Sequence, residues 1–135
     1  MVIDTSGLRF PKGQPRVLSK HARLVQQQKK IARAYEIVNA RDENRCRVTG
    51  VRLIVGSPND KRRREHHHLS GRCVRPEWIT RPRRIILVSA YVHRLLTASA
   101  LIPDHLDADQ PISWRWNRRI VRSGEEPFRL NESET

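Results

Sequence analysis

A chain of 135 residues with 37% hydrophobic residues has room for one domain with arms, and it can bury a modest core but not a large one. Lys and Arg number 27 against 14 Asp and Glu, and the net charge of +13 points to a polyanionic partner, of which nucleic acid is the usual one. No apolar stretch approaches the roughly 18 residues of a membrane-spanning helix, no signal-peptide core opens the chain, and Cys46 and Cys73 make no paired framework, so a reducing, cytoplasmic setting without membrane attachment is expected.

Residues 1–16 hold Gly7, Pro11, Gly13 and Pro15 without lasting periodicity and read as a flexible arm. Residues 17–41 lack Pro and Gly and are rich in Ala, Gln, Lys and Arg, which predicts a helix with Ser19 as its N-cap. Leu24, Ile31, Tyr35 and Val38 form one narrow apolar stripe, while Lys20, Arg23, Lys29, Lys30 and Arg33 spread over the other faces. Such a basic amphipathic helix covers a core with its stripe and offers its outer face to phosphates.

Arg41 to Gly50 reads as a tight turn, Val51 to Val55 as a short strand or hairpin end, and residues 56–60 as a turn cluster. After the basic run Lys61 to Arg64, the segment Arg64 to Leu69 reads as a strand. Residues 70–84, interrupted by Gly71, Pro76 and Pro82, make a long loop, and a loop of that length in a small domain is usually functional or disordered. Ile85 to Val88 suits a short buried strand. Ser89 then caps a helix to about Ala100, with Tyr91, Val92, Leu95, Leu96 and Ala98 on its buried face and Pro103 as its stop. Asp104 to Gln110 is an acidic turn. Ile112, Trp114 and Trp116 alternate with Ser113, Arg115 and Asn117, the period of a half-buried strand with the tryptophans in the core. Residues 123–135 are polar and expected to fray. The fold class expected is α+β.

The chemistry concentrates at Glu65-His66-His67-His68 and at His93. Histidine is the commonest metal ligand and the side chain best placed for proton transfer near neutral pH. If strand, loop and helix fold back on one another, His67, His68 and His93 converge. A cation there polarises a phosphate, and a histidine kept off the cation takes a proton from the attacking water. Adjacent residues on a regular strand point to opposite faces, so His67 and His68 share one site only where the strand kinks or ends. On a straight strand His66 and His68 share a face instead.

His66 reads as solvated or nucleic-acid-facing, and His21 and His105 as surface residues. Glu65 has two readings, a carboxylate that orients an imidazole and an ion-pair partner of a neighbouring arginine. Asp104, Asp107 and Asp109 lack the glycine and terminal Glu of a calcium loop and read as a solvated turn. Arg62, Arg63, Arg64, Arg72, Arg75, Arg81, Arg83 and Arg84, with Trp78 among them, form the expected nucleic-acid-binding set. Their contacts would go mostly to phosphates, giving affinity without sequence choice.

The succession RDENRCRVTG, EHHHL and IILVSAYVHRLL, from about Arg41 to Ile102, resembles the HNH endonuclease family with its ββα-metal fold. The tail from Asp104 to Trp116 is similar to that of small phage and bacterial members. The resemblance implies a ββα-metal core over residues 42–103, flanked by the basic helix and by a C-terminal strand and polar tail over residues 104–135. It implies hydrolysis of phosphodiester bonds in DNA with one divalent metal (Mg, Mn, Ni or Zn). By the same match His67 and His93 are metal ligands and His68 is the general base. A bacterial or phage-infected cell, and a monomer or homodimer, go with it.

The sequence departs from the family in two places. Many members hold a zinc with two C-x-x-C pairs; here Cys46 stands with Thr49, Ser89 and Val92, so the core must cohere by packing. Arg84 stands where the family has an Asn that braces the loop carrying the base, and Thr80 is the candidate hydroxyl for that loop. Two alternatives follow: a catalytically degenerate nucleic-acid-binding module of the same fold, and a structural zinc module built from His67, His93 and Cys46 or Cys73.

Overall fold

The computed structural model describes residues 19–70 and 75–130. The expected arm at 1–16 lies outside them, as do Arg72, Cys73 and the end of the polar tail. The first element, α1 (Lys20–Arg41), begins where its cap predicts: Ser19 is extended, and its Oγ accepts from the Ala22 N–H at 3.1 Å. The apolar stripe is buried only toward the helix's C-terminal half. Ala34 and Val38 are buried, Ile31 and Tyr35 half-buried, and Leu24 is 49% exposed.

Two strands and a second helix follow. β1 (Arg64–His68) pairs antiparallel with β2 (Ile85–Ser89), in register from Arg64 opposite Ser89 to His68 opposite Ile85. Every residue of β2 is buried, because both α1 and α2 (Ala90–Thr97) pack on it. A strand covered on both faces is a continuous apolar run rather than an alternation, as Ile85 to Val88 is. A second small sheet joins β3 (Leu101–Pro103) antiparallel to β4 (Trp114–Trp116). The fold is thus α+β, with two helices and two two-stranded antiparallel sheets among the described residues. None of these helices is long and apolar enough to cross a membrane.

Several expected elements change. Val51 to Val55 forms no strand: it makes single bridges from Arg52 to Arg45 and from Ile54 to Arg63. Only Leu53 enters the core, while Val51 and Val55 are 42% and 64% exposed, so the run has no face to bury. α2 stops at Thr97 rather than near Ala100, because Ser99 takes a left-handed φ of 59° and turns Leu101 into β3. Its buried face is Ala90, Val92 and Leu96, whereas Ala98 is exposed. Pro103 therefore ends a strand, not a helix. The strand expected over 111–121 shortens to the three residues that β3 can pair. The described part of the tail, to residue 130, is packed rather than frayed: Phe128 lies edge-on to Trp116 at 5.0 Å between ring centres and 6.3 Å from Tyr91.

Packing and ion pairing hold the turn from Arg41 to Gly50. Cys46 is a buried free thiol in one apolar cluster with Val48, Leu53, Val92 and β2. Asp42 anchors the same region. Its side chain is 1% exposed and accepts from Arg41 Nε at 2.8 Å, Arg47 Nη1 at 2.9 Å and the Leu87 N–H at 3.0 Å. Arg41 also donates to the carbonyls of Pro82 and Ile85, and Arg47 to that of Ala108, so one carboxylate organises the end of α1, the turn, β2 and the acidic loop. Ser89 Oγ accepts from the Val92 N–H at 3.2 Å and caps α2. Ser89→Ala should cost about 1 kcal/mol, read as a lower urea midpoint at unchanged slope.

Candidate active site

β1 keeps its register through His68, so its side chains alternate. His66 turns to α1, where its ring lies flat on Tyr35, with centres 3.8 Å apart and planes 2° from parallel. Its Nε2 is 2.7 Å from Asn39 Oδ1. His66 is therefore a packed residue rather than a solvated one. The His68 ring is also on this side, 6.1 Å from Tyr35. His67 turns to α2, edge-on to His93 with ring centres 5.3 Å apart. The strand does not kink, and His66 and His68 share a face.

The alternation does not separate the histidines. His66, His67, His68 and His93 all line one cavity of about 610 Å³, walled also by Tyr35, Leu96 and Leu101 to Pro103.

Electrostatics suits the cluster to bind a cation. Burial, then the neighbouring His93 and His68, pushes His67 down to about 4, so it is neutral at neutral pH, the form that coordinates metal. Burial, then Arg64 and His68, likewise pushes His66 down to about 4. Glu65 fulfils both of its readings: Oε2 lies 2.9 Å from His93 Nδ1, and Oε1 accepts from Arg63 Nη2 at 2.6 Å. Burial alone would raise the Glu65 carboxyl, but the hydrogen bonds from Arg63 and His93 outweigh it and hold the group below its ordinary range. A carboxylate on Nδ1 keeps a proton there, which makes Nε2 the nitrogen that could ligate a cation.

Two imidazoles bonded to one cation at about 2.1 Å, with a roughly tetrahedral angle between them, have ring centres about 5 Å apart. The 5.3 Å between His67 and His93 fits that spacing. Among the described residues no three His, Cys, Asp or Glu side chains form a complete cage, so a cation here would take its remaining ligands from water or phosphate oxygens.

His68 is 8% exposed, and its Nε2 is 3.1 Å from the Ile79 carbonyl. A carbonyl only accepts, so Nε2 carries a proton and donates it.

The basic set divides in two. Arg62, Arg75, Arg81 and Arg83 are exposed. Arg63, Arg64 and Arg84 are half-buried and tie the fold together: Arg63 to the Pro58 carbonyl and Glu65, Arg64 to Asn44, Arg84 to the Leu106 carbonyl. Trp78 is half-buried under the Arg84 guanidinium, and Thr80 is half-buried two residues on. Asp107 pairs with Arg83 at 2.7 Å, and His105 staples its own loop through the Pro111 carbonyl. Sequence reasoning missed Asn39 and gave Tyr35 only a packing role. Tyr35 in the stripe and Asn39 four residues on share one helix face, and that spacing was the available signal.

Comparison of the chain with protein-family models, with curated proteins and with solved structures finds no match.

Proposed function

We propose that the chain is a metal-dependent endonuclease of the HNH type, hydrolysing phosphodiester bonds in DNA, with β1, β2 and α2 as its ββα-metal core. The observation that carries this reading is the meeting of His67, His68 and His93 at one cavity, with the first and last at a spacing that one cation can bridge. His67 and His93 would hold a single divalent ion, Mg, Mn, Ni or Zn. Such an ion, when bound, supplies Lewis-acid stabilisation of the scissile phosphate. Glu65 fixes the His93 ring, and His68 accepts the proton of the attacking water. Exposed Arg62, Arg75, Arg81 and Arg83, with the basic face of α1, would hold the DNA backbone.

The inward turn of Arg84, at the place of the family's Asn, favours the rival reading of a binding module without catalysis. A plasmid-nicking assay decides between them. Supercoiled DNA should be nicked with Mg or Mn and left intact with excess chelator. Binding without cleavage in all four metals sinks the hydrolase and leaves the module. The chelator should leave the melting temperature nearly unchanged; a collapse of the fold would favour a structural zinc instead.

A further inference from the structure

We infer that Arg94 holds a DNA phosphate next to the scissile one; this rests on the endonuclease reading. A second hollow, of about 380 Å³, is lined by Glu65, His93, Arg94, Thr97 and Ala98. His93 and Thr97 line the larger cavity as well, so the two hollows adjoin at the proposed cation ligand. A strand bound with one phosphate at His67 and His93 must continue past the site, and the second hollow offers it a path.

The charges in that hollow favour an anion. Glu65 is already committed, with Oε1 on Arg63 at 2.6 Å and Oε2 on His93 at 2.9 Å. Its charge is therefore answered inside the protein and does not pin Arg94. Arg94 is exposed, and among the described residues its guanidinium has neither a hydrogen bond nor an ion pair. Arg62, Arg75 and Arg83, by contrast, lie 3.8, 3.9 and 2.7 Å from a carboxylate oxygen of the protein itself. A guanidinium stays protonated and presents only donors, so Arg94 cannot join the ligands of a cation; what it can take is a phosphate oxygen. It follows His93 directly on α2, so the helix that sets the ligand also sets the arginine.

Arg94 also stands in the last turn of α2, where the helix dipole favours a positive charge. That role needs no DNA, and the test must separate the two.

The test uses the full chain, magnesium or manganese, and a short DNA duplex whose cut site has been mapped. Phosphates around the cut are replaced one at a time by an uncharged methylphosphonate. In the parent, neutralising one phosphate next to the cut should lower kcat/KM by about 10-fold, the low end for a hydrogen bond to a charged group. Arg94→Gln, which keeps the stem and loses the charge, should show a similar loss on unmodified DNA and no further loss when that phosphate is neutralised. In the same variant the slope of log affinity against log salt should shrink by about one. Arg94→Lys should recover part of the rate. The metal needed for half-maximal cleavage should be the same in all three proteins.

Arg94→Gln equal to the parent on unmodified DNA overturns the inference. So does a slower variant that stays as sensitive as the parent to every methylphosphonate, because the arginine would then act only through α2. A raised metal requirement in Arg94→Gln overturns it too, by placing the effect at the cation. A parent that cleaves no DNA overturns the endonuclease reading and this inference with it, whereas a parent that cleaves and is matched by Arg94→Gln overturns the role of Arg94 alone.

Discussion

Alanine at His68 is expected to slow DNA cleavage by about a thousandfold, the middle of the range for losing a positioned proton acceptor. Duplex affinity should stay within about twofold, because the residues proposed to meet phosphate are the exposed arginines and not this buried ring. The slope of affinity against salt should also be unchanged, since the count of neutralised phosphates is the same. His67→Ala and His93→Ala should behave differently: each removes a proposed metal ligand, so more metal should be needed for half-maximal cleavage. His68 is buried against Tyr35 and the Ile79 loop, so the melting temperature of the variant must be read beside its activity. Parallel loss of binding and cleavage, with a large drop in melting temperature, would reassign His68 to the core.

What was legible in the sequence was local. Ser19 and Ser89 cap the helices expected of them, because the capping bond closes within three residues of chain. β1 and β2 lie where the basic-to-histidine segment and the apolar run put them. The juxtaposition of His67 and His93 was anticipated from the order of elements, although the straight path of β1 was the reading set second. What was illegible depends on distant partners. Nothing in Arg41-Asp42-Glu43-Asn44-Arg45 marks Asp42 as the buried acid, because one of its donors comes from β2. The arginines from 62 to 84 read as one phosphate-facing set, yet Arg63, Arg64 and Arg84 hold the protein's own carbonyls and side chains. Phe128 sits in a polar tail and gives no periodic signal, but Trp116 and Tyr91 supply a surface for it.

Asp42→Ala should be the most destabilising single substitution outside the apolar core, at about 3–5 kcal/mol, the range for removing one partner of a buried charge cluster. In a domain whose whole stability is about 5–15 kcal/mol, that is enough to leave a large unfolded fraction. The loss is steep because it leaves the Arg41 and Arg47 guanidiniums, each 20% exposed, without their carboxylate, and the Leu87 N–H without its acceptor inside β2. Asp42→Asn keeps the shape and one carbonyl oxygen for Leu87, so it separates the charge from the hydrogen bond and should cost less. Acid should imitate it. Burial by itself would raise the Asp42 carboxyl; the hydrogen bonds from Arg41 and the Leu87 N–H, with the charges of Arg41 and Arg47, outweigh it and hold the group below its ordinary 3.8. A carboxyl depressed by folding contributes its full stabilisation above its unfolded value and loses it as pH falls through the folded one. The urea midpoint of the parent should therefore fall below about pH 4, and the gap between parent and Asp42→Asn should narrow over the same window. Equal midpoints at pH 7 would mean that the ion pairs contribute nothing net, leaving the apolar packing of Cys46, Val48 and Leu53 against β2 to hold the turn alone.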